Sequence, residues 1–437
     1  MLLKETRKPA SVAQDHPQPL EVTQQQPLLV PRFARQGYER ESVTARRNWV
    51  QERTGAQLAH VGAYSIPGEE MRGNVENLLG TVQVPLGIAG PLLIHGDHAQ
   101  GVFYVPLATT EGALVRSYER GMMTLTRAGG AVARVYQDEN RIAPVFLFAD
   151  VSAAHEFARR LPESFEPIRE QAESTTRHGK LLRLECHPVG REVIVNFCYF
   201  TADAHGMNMI AKATEQACQW IMAHSQAADF FLFSGLSSEK HSSGSLLGGG
   251  KGKKVVAGAL LPRDLLGNYL HVTPARLVEL WHHTVLGHMQ AHATGYNAHY
   301  ANGLAALFIA CGQDVANVVN SATGITNFEL TANGDVYVTV TLPSLTVATV
   351  GGGTGLGTSR ECLQMMGATG SSGALKLAEI TAATLLAGEI SMGAALASGE
   401  FVQAHEALGR NRPPAINHTA DSLESPGHQT FSTSIRE

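Results

Sequence analysis

Apolar positions along this chain keep two rhythms, and each change of rhythm marks an element. VPLGIAGPLLI (84–94) and GVFYVPLA (101–108) are continuous apolar runs broken by glycine and proline, which predicts strands. Helical spacing follows from about Thr110 to Thr126. Between 143 and 233 the style changes. APVFLFAD reads as a strand and VSAAHEFARRL as a helix. KLLRLECHP and EVIVNFCYFT form a hairpin through Val189 and Gly190, MNMIAKATEQACQWIMAH is a second helix, and DFFLFSG a last strand. That β-α-β-β-α-β order is a split βαβ, ferredoxin-like unit inserted in a larger domain.

The rest alternates long Ala/Gly-rich helical segments (274–294, 298–321, 370–397) with two strands, TNFELTA and DVYVTVTLPS. Small residues suit a helix packed on all sides, because they allow close approach. The fold expected is α+β, a large domain built around a long buried helix. Upstream, ERESVTARRNWVQERTGA predicts short helices with basic outer faces and a cap at Ser42 or Thr44. The boundaries are a disordered arm at 1–30, a helical segment at 31–75, and a discontinuous large domain at 76–142 and 245–410. A small domain takes 143–233, a connecting loop 234–244, and a flexible tail 411–437; both ends are polar and bury little.

Composition narrows the function. With 437 residues, 44% of them hydrophobic, the chain can build more than one core. A net charge of -5 without a basic run gives no reason to invoke nucleic acid or a membrane surface, so the partner expected is a small molecule. Five scattered cysteines lack C-x-x-C pairing, as in a reducing compartment. No signal-like start and no unbroken run of about 18 apolar residues is present, so a soluble, cytoplasmic chain is expected.

Common signatures fail. GGGKGKK (248–254) cannot be placed on a phosphate loop, and VGGGTGLGTSR (350–360) satisfies no Rossmann fingerprint. His288 and His292 stand four apart without the glutamate of a zinc protease, so packing is the simpler reading and no metal is expected. What remains is a polar set in apolar surroundings: Glu111 in PLATTEGALVRSY, Lys240 in SSEKH, Asp314 in IACGQDVANV, and His405 in FVQAHEAL. Each has a plain structural alternative, namely a helix cap, a mobile loop, a bond to nearby amides, or a helix surface. Buried charge is otherwise expected to be paired.

Together, ENLLGTVQVPLGIAGPLLI, PLATTEGALVRSYERG, DAHGMNMIAKATE, GYNAHYANGLAALFIACGQDVANV and LPSLTVATVGGGTGLGTSRECLQMMG resemble, in order, the catalytic domain of 3-hydroxy-3-methylglutaryl-coenzyme A (HMG-CoA) reductases. The likeness is to the class that includes the eukaryotic and many archaeal enzymes. It implies a four-electron reduction of HMG-CoA by two NADPH, through mevaldyl-CoA and mevaldehyde, to mevalonate and free coenzyme A. In that chemistry Lys240 would stabilise the oxyanion. Glu111, its pKa raised, would supply a proton. Asp314 would hold both, and His405 would protonate the leaving thiolate.

By the same resemblance, Arg141, Ser234, His241 and Asn302 grip the glutaryl portion, and Ser117 and Arg120 contact coenzyme A. Asp203, Met207 and Asn208, in a DAMGMN-like motif, face the cofactor with Gly351, Gly352 and Gly353. Arg177 lies near a ribose 2′-phosphate, favouring NADPH. The resemblance also implies a homodimer or homotetramer with active sites at the subunit interface; the membrane anchor of eukaryotic relatives is not expected here.

Three departures stand out. The substrate loop reads EKHSSGSLLGGGKGKK where relatives carry something like DKKPxAxN, and LGRNR replaces HNR near the C-terminus. Glu119 also stands where an asparagine is common. Three alternatives therefore stay open: NAD-dependent oxidation of mevalonate, reduction of another acyl-CoA thioester, and a non-catalytic binding homologue.

Overall fold

Residues 29–33 and 37–402 are described by a computed structural model of the chain, in two units that meet at Val82 and Gln83. His405, the tail and most of the N-terminal arm lie outside the described residues. In the first unit, helix α1 (Arg40–Thr54) starts at Glu39 with no side-chain cap, so neither Ser42 nor Thr44 serves. It ends where Gly55 takes a left-handed φ of 69° and donates its N–H to Gln51 O. Its basic residues do not all face outward. Arg46 is 2% exposed and donates to the carbonyls of Pro31, Gly37 and Leu78.

The second unit follows in the order β1 (Leu86–Gly96), β2 (Gln100–Ala108), α2 (Leu114–Arg127), β3 (Ala131–Ile142), β4 (Val145–Leu147), α3 (Val151–Arg160) and α4 (Phe165–Glu173). Next come β5 (Lys180–Val189), β6 (Glu192–Phe200), α5 (Met207–His224), β7 (Asp229–Phe231), β8 (Gly252–Leu261), α6 (Arg263–Leu270) and α7 (Pro274–Gln290). The chain closes with α8 (Tyr300–Ala310), α9 (Val318–Ser321), β9 (Ile325–Leu330), β10 (Val336–Leu345), α10 (Gly357–Met365) and α11 (Gly373–Ser398). Ten strands form one mixed, mostly antiparallel sheet. β3 is the shared member: Val132–Glu139 pair with β8, and Asn140–Ile142 continue onto β6. On one side the order runs β2-β1-β3-β8-β10-β9, on the other β3-β6-β4-β7 with β5 on β6.

Several boundaries differ from the sequence reading. α2 begins at Leu114, not Thr110, because Ala113 sits at a left-handed φ of 71°. The helix expected over 298–321 breaks after Ala310, where Gly312 takes a φ of 63°. The strands expected at 143–150 and 229–235 shrink to three residues each, and β3, α4, β8, α6 and α10 went unread. The β8 segment, GKKVVAGALL, is masked by glycines and lysines, yet Lys253, Val255, Ala257, Ala259 and Leu261 alternate inward.

Two apolar cores result. One gathers residues of β4–β6 and α3–α5. The other surrounds α11, where Leu377, Ala383, Leu386 and Ile390 are fully buried. α11 is long and apolar enough to cross a membrane by composition, but 83% of its most apolar window is buried inside the protein, as in a core helix. α2 approaches it so closely that a Cβ on Gly121 would lie 1.8 Å from Ala387 O. A side chain there cannot be absorbed by a rotamer change, since the obstacle is backbone. Gly121→Val is expected to lower unfolding free energy by about 1–3 kcal/mol or more; an unchanged urea midpoint would refute this packing argument.

Candidate active site

The loop after β7 and the turn after α8 bring Lys240 to Asp314, with Nζ 2.9 Å from Oδ2. The turn is fixed from both sides. A Cβ on Gly312 would strike Gly353 O at 2.3 Å, so glycine is required there. Gln313 next to it donates Nε2 to Cys311 O and Ala348 O at 2.9 Å and accepts from Ala348 N at 2.8 Å. Asp314 then accepts from Ala316 N at 3.1 Å. Burial works to raise the Asp314 carboxyl, but Lys240 and the Ala316 amide outweigh it and the pKa is lowered. The bond to Asp314 raises Lys240 against its own desolvation. Both side chains are more than a third exposed, so the pair adds about 1 kcal/mol at most. That contribution fades as pH falls through the lowered Asp314 pKa or rises through the raised Lys240 pKa.

A second lysine stands directly behind. Lys251, with its side chain 0% exposed, pairs with Glu239 and donates to Arg141 O at 3.2 Å. Its Nζ also lies 3.4 Å from Met207 Sδ, at the start of α5. Burial lowers its pKa, with Glu239 opposing. Ser238 and Lys240, on either side of Glu239, have left-handed φ values of 54° and 57°. Such backbone persists only where surroundings hold it, and the inward Glu239–Lys251 pair does so.

Arg141 presents a buried Nε with no hydrogen-bond partner, suited to an anionic group. Ser234 donates Oγ to Ala143 O at 2.7 Å, and His241 Nδ1 lies 2.6 Å from Glu239 O.

Glu111 lies elsewhere. The sequence places it in the first turn of an apolar helix; the structure puts it three residues before α2, exposed, and Asn302 Nδ2 is 3.4 Å from its Oε1. Nor does Asp314 bridge Lys240 and Glu111 within the chain, since the two carboxylates take these separate partners. Glu111 and Asn302 line one end of a cavity of about 470 Å³ that also takes in Ser117, Arg120, His299 and Ser391. Ser391, which the sequence reading missed, organises the other end. It meets Ser117 Oγ at 3.1 Å and accepts from Arg120 Nε at 3.0 Å and Nη2 at 2.7 Å.

A third grouping surrounds the start of α5. Asp203 accepts from Ser372 N at 3.0 Å and Ala374 N at 2.9 Å, and its carbonyl accepts from Thr349 N and Val350 N. This ties the DAHGMN stretch to Gly351, Gly352 and Gly353. Gly351 and Gly352 have φ values of 82° and 55°, and a Cβ on either would project into open space. Unobstructed backbone beside the N-terminus of an 18-residue helix fits a pyrophosphate. Asn208 is exposed in that helix's first turn, and Arg177 is exposed on the turn before β5. His288 packs edge-on to Trp281 and Tyr296, consistent with the packing reading.

The model of the hydroxymethylglutaryl-coenzyme A reductase family matches residues 42–410. The chain belongs to that family. It is 43% identical over 373 residues to the 3-hydroxy-3-methylglutaryl-coenzyme A reductase of Methanocaldococcus jannaschii, covering 84% of this chain and 92% of that one. The Xenopus laevis enzyme of that name is 38% identical over 350 residues, 77% of this chain and 39% of that one. Among solved structures, the class II HMG-CoA reductase of Streptococcus pneumoniae bound to NADPH in open conformations superposes with a TM-score of 0.63 at 18% identity. That alignment covers 82% of this chain and 98% of the other, and it shows a shared fold.

Proposed function

We propose that this HMG-CoA reductase reduces HMG-CoA with two NADPH to mevalonate and free coenzyme A, using Lys240 and Asp314 at the carbonyl. The observation that carries the site assignment is the Lys240–Asp314 pair, since a charged donor oriented by a carboxylate is what a developing oxyanion needs. NADPH, when bound, supplies the hydrides. Lys240 donates to the substrate oxygen, Asp314 keeps that lysine charged, Arg141 receives the glutaryl carboxylate with Ser234 and His241, and Asn302, set beside Glu111 within one chain, reaches the glutaryl portion from a second copy. Ser117 and Arg120 take the coenzyme A portion in the Ser391-lined cavity. Asp203, Met207, Asn208 and Gly351–Gly353 hold the dinucleotide, and His405 protonates the departing thiolate.

The strand order β7-β4-β6-β5 supports reading 143–233 as a split βαβ cofactor domain inserted into a large domain of 76–142 and 245–410. Identity of 38–43% to archaeal and amphibian relatives, against 18% to the class II structure, supports the class I type.

A second copy completes the site in this reading. Glu111 is exposed and separate from Lys240, and one face of the sheet leaves Ile88, Val102, Tyr104, Val132 and Tyr136 each 46–69% exposed. An apolar face of that kind favours isologous pairing. A homodimer, or a homotetramer made of two such dimers, is therefore proposed, in the cytoplasm. Sedimentation equilibrium tests it: a monomer with full activity would remove the shared-site reading.

The reaction is tested by following NADPH and, separately, NADH at 340 nm with HMG-CoA. Two NADPH oxidised per coenzyme A released is the expected stoichiometry. If coenzyme A binds but neither cofactor is consumed, the substrate is another acyl-CoA. Arg177→Ser is expected to raise KM for NADPH about tenfold while leaving NADH within about twofold, the loss of one charged contact to a phosphate. Equal effects on both cofactors would exclude a 2′-phosphate role.

A further inference from the structure

His205 stands at the third position of DAHGMN, where the motif it resembles carries methionine. Its ring lies between the two segments that present the proposed catalytic pair. On one side Asn317, three residues after Asp314 and 1% exposed, places Nδ2 3.5 Å from His205 Nε2. On the other side Glu239, adjacent to Lys240, places Oε1 3.6 Å from the same nitrogen. That Oε1 is buried and accepts no hydrogen bond. One ring nitrogen thus faces two partners of opposite demand, because Asn317 Nδ2 needs an acceptor and Glu239 Oε1 needs a donor.

We infer that His205 is a positioning residue that changes partner with protonation: the neutral ring accepts from Asn317, and the protonated ring donates to Glu239. This rests on Lys240 and Asp314 being the catalytic pair. The groups facing the ring come from every neighbouring segment: Glu239 and Lys240 from the loop, Lys251 at the start of β8, and Asp314 from the turn after α8. Asn140 on β3 anchors the segment by donating Nδ2 to His205 O at 2.9 Å. A proton on His205 pulls on Glu239 Oε1 while Oε2 still faces Lys251, which shifts the clamp on the left-handed turn carrying Lys240. It also places a positive charge near the ammonium itself. Burial holds the ring below its usual pKa, with Glu239 pulling upward and Lys251 downward, so the enzyme works with His205 neutral and loses its arrangement in acid.

The test combines two readings. The Cε1–H resonance of His205 is followed by NMR from pH 4.5 to 8 in the full-length protein and in Glu239→Gln, and kcat is followed over the stable part of that range for the wild type, His205→Met and His205→Gln. Removing the Glu239 charge is expected to lower the His205 pKa. The two His205 variants are expected to lose the acid limb that carries that pKa, along which the neutral fraction falls about tenfold per pH unit. His205→Gln, which keeps a polar group toward Asn317, serves if His205→Met does not fold. A His205 titration unmoved in Glu239→Gln, or a kcat limb identical in wild type and both variants, overturns the inference. Undiminished turnover in Lys240→Ala would instead sink the catalytic pair, with the His205–Glu239 coupling still readable by NMR.

Discussion

Lys240→Ala is expected to lower kcat by about 10²–10³ or more, the loss of a donor aimed at a developing oxyanion, with KM for HMG-CoA changing much less. Lys240 Nζ lies 2.9 Å from Asp314 on a turn braced by Gln313, so the ammonium is oriented before substrate arrives. Donors placed in advance need no reorganisation at the moment of reaction. Asp314→Asn is expected to follow in the same direction, since it removes the bond that raises the Lys240 pKa. The basic limb of the pH profile should then move to lower pH. Steady-state kinetics at pH 7 separate the outcomes: a loss below tenfold in Lys240→Ala would move the oxyanion role to another cation, Lys251 first among them.

The largest structural effect is expected at Glu389, a carboxylate 2% exposed in the middle of α11. It accepts from Ala298 N at 2.8 Å, His299 N at 2.9 Å and Thr326 Oγ1 at 2.8 Å. Glu389→Ala strands one buried donor, Thr326 Oγ1, and two partly buried amides, and with hydrogen bonds to charged groups contributing about 1.5–3 kcal/mol each, a loss of about 3 kcal/mol is expected. The segment it holds leads into α8, which carries Asn302, and it includes His299 of the cavity proposed for coenzyme A. Activity at permissive temperature should therefore fall through KM. Glu389→Gln, which keeps one acceptor oxygen, should recover part of the stability. Denaturant melts of the two variants decide the matter, and a shared loss below about 1 kcal/mol would show that water replaces the carboxylate. Glu379 has a parallel place, accepting from Asp97, His98 and Ala99 amides at the β1–β2 turn.

Neither glutamate was singled out from the sequence, although both interrupt a long apolar run, LKLAEITAATLLAGEISMGAALA. That interruption was the available signal: an acid inside a buried helix must find donors. Lys251 was passed over for a related reason. It entered only within a failed phosphate-loop match and the divergent substrate loop, and nothing local distinguishes a lysine in GGGKGKK that will be exposed from one that will be buried. Glu111 shows the reverse error, since apolar neighbours suggested burial while a positive-φ residue at Ala113 delays the helix and leaves the carboxylate outside.

Periodicity alone determined the two hairpin strands β5 and β6, helix α5 and the long α11, because spacing of apolar side chains depends only on near neighbours along the chain. The motifs likewise determined the family and the residue types the reaction requires. Tertiary structure alone decided which of those residues meet. Glu239 finds Lys251 twelve positions later, Asp203 caps the backbone of Ser372 and Ala374, and Ser391 gathers Ser117 and Arg120. It also decided their ionisation, since burial and pairing are set by whatever the fold packs against a group, and those neighbours are remote in sequence.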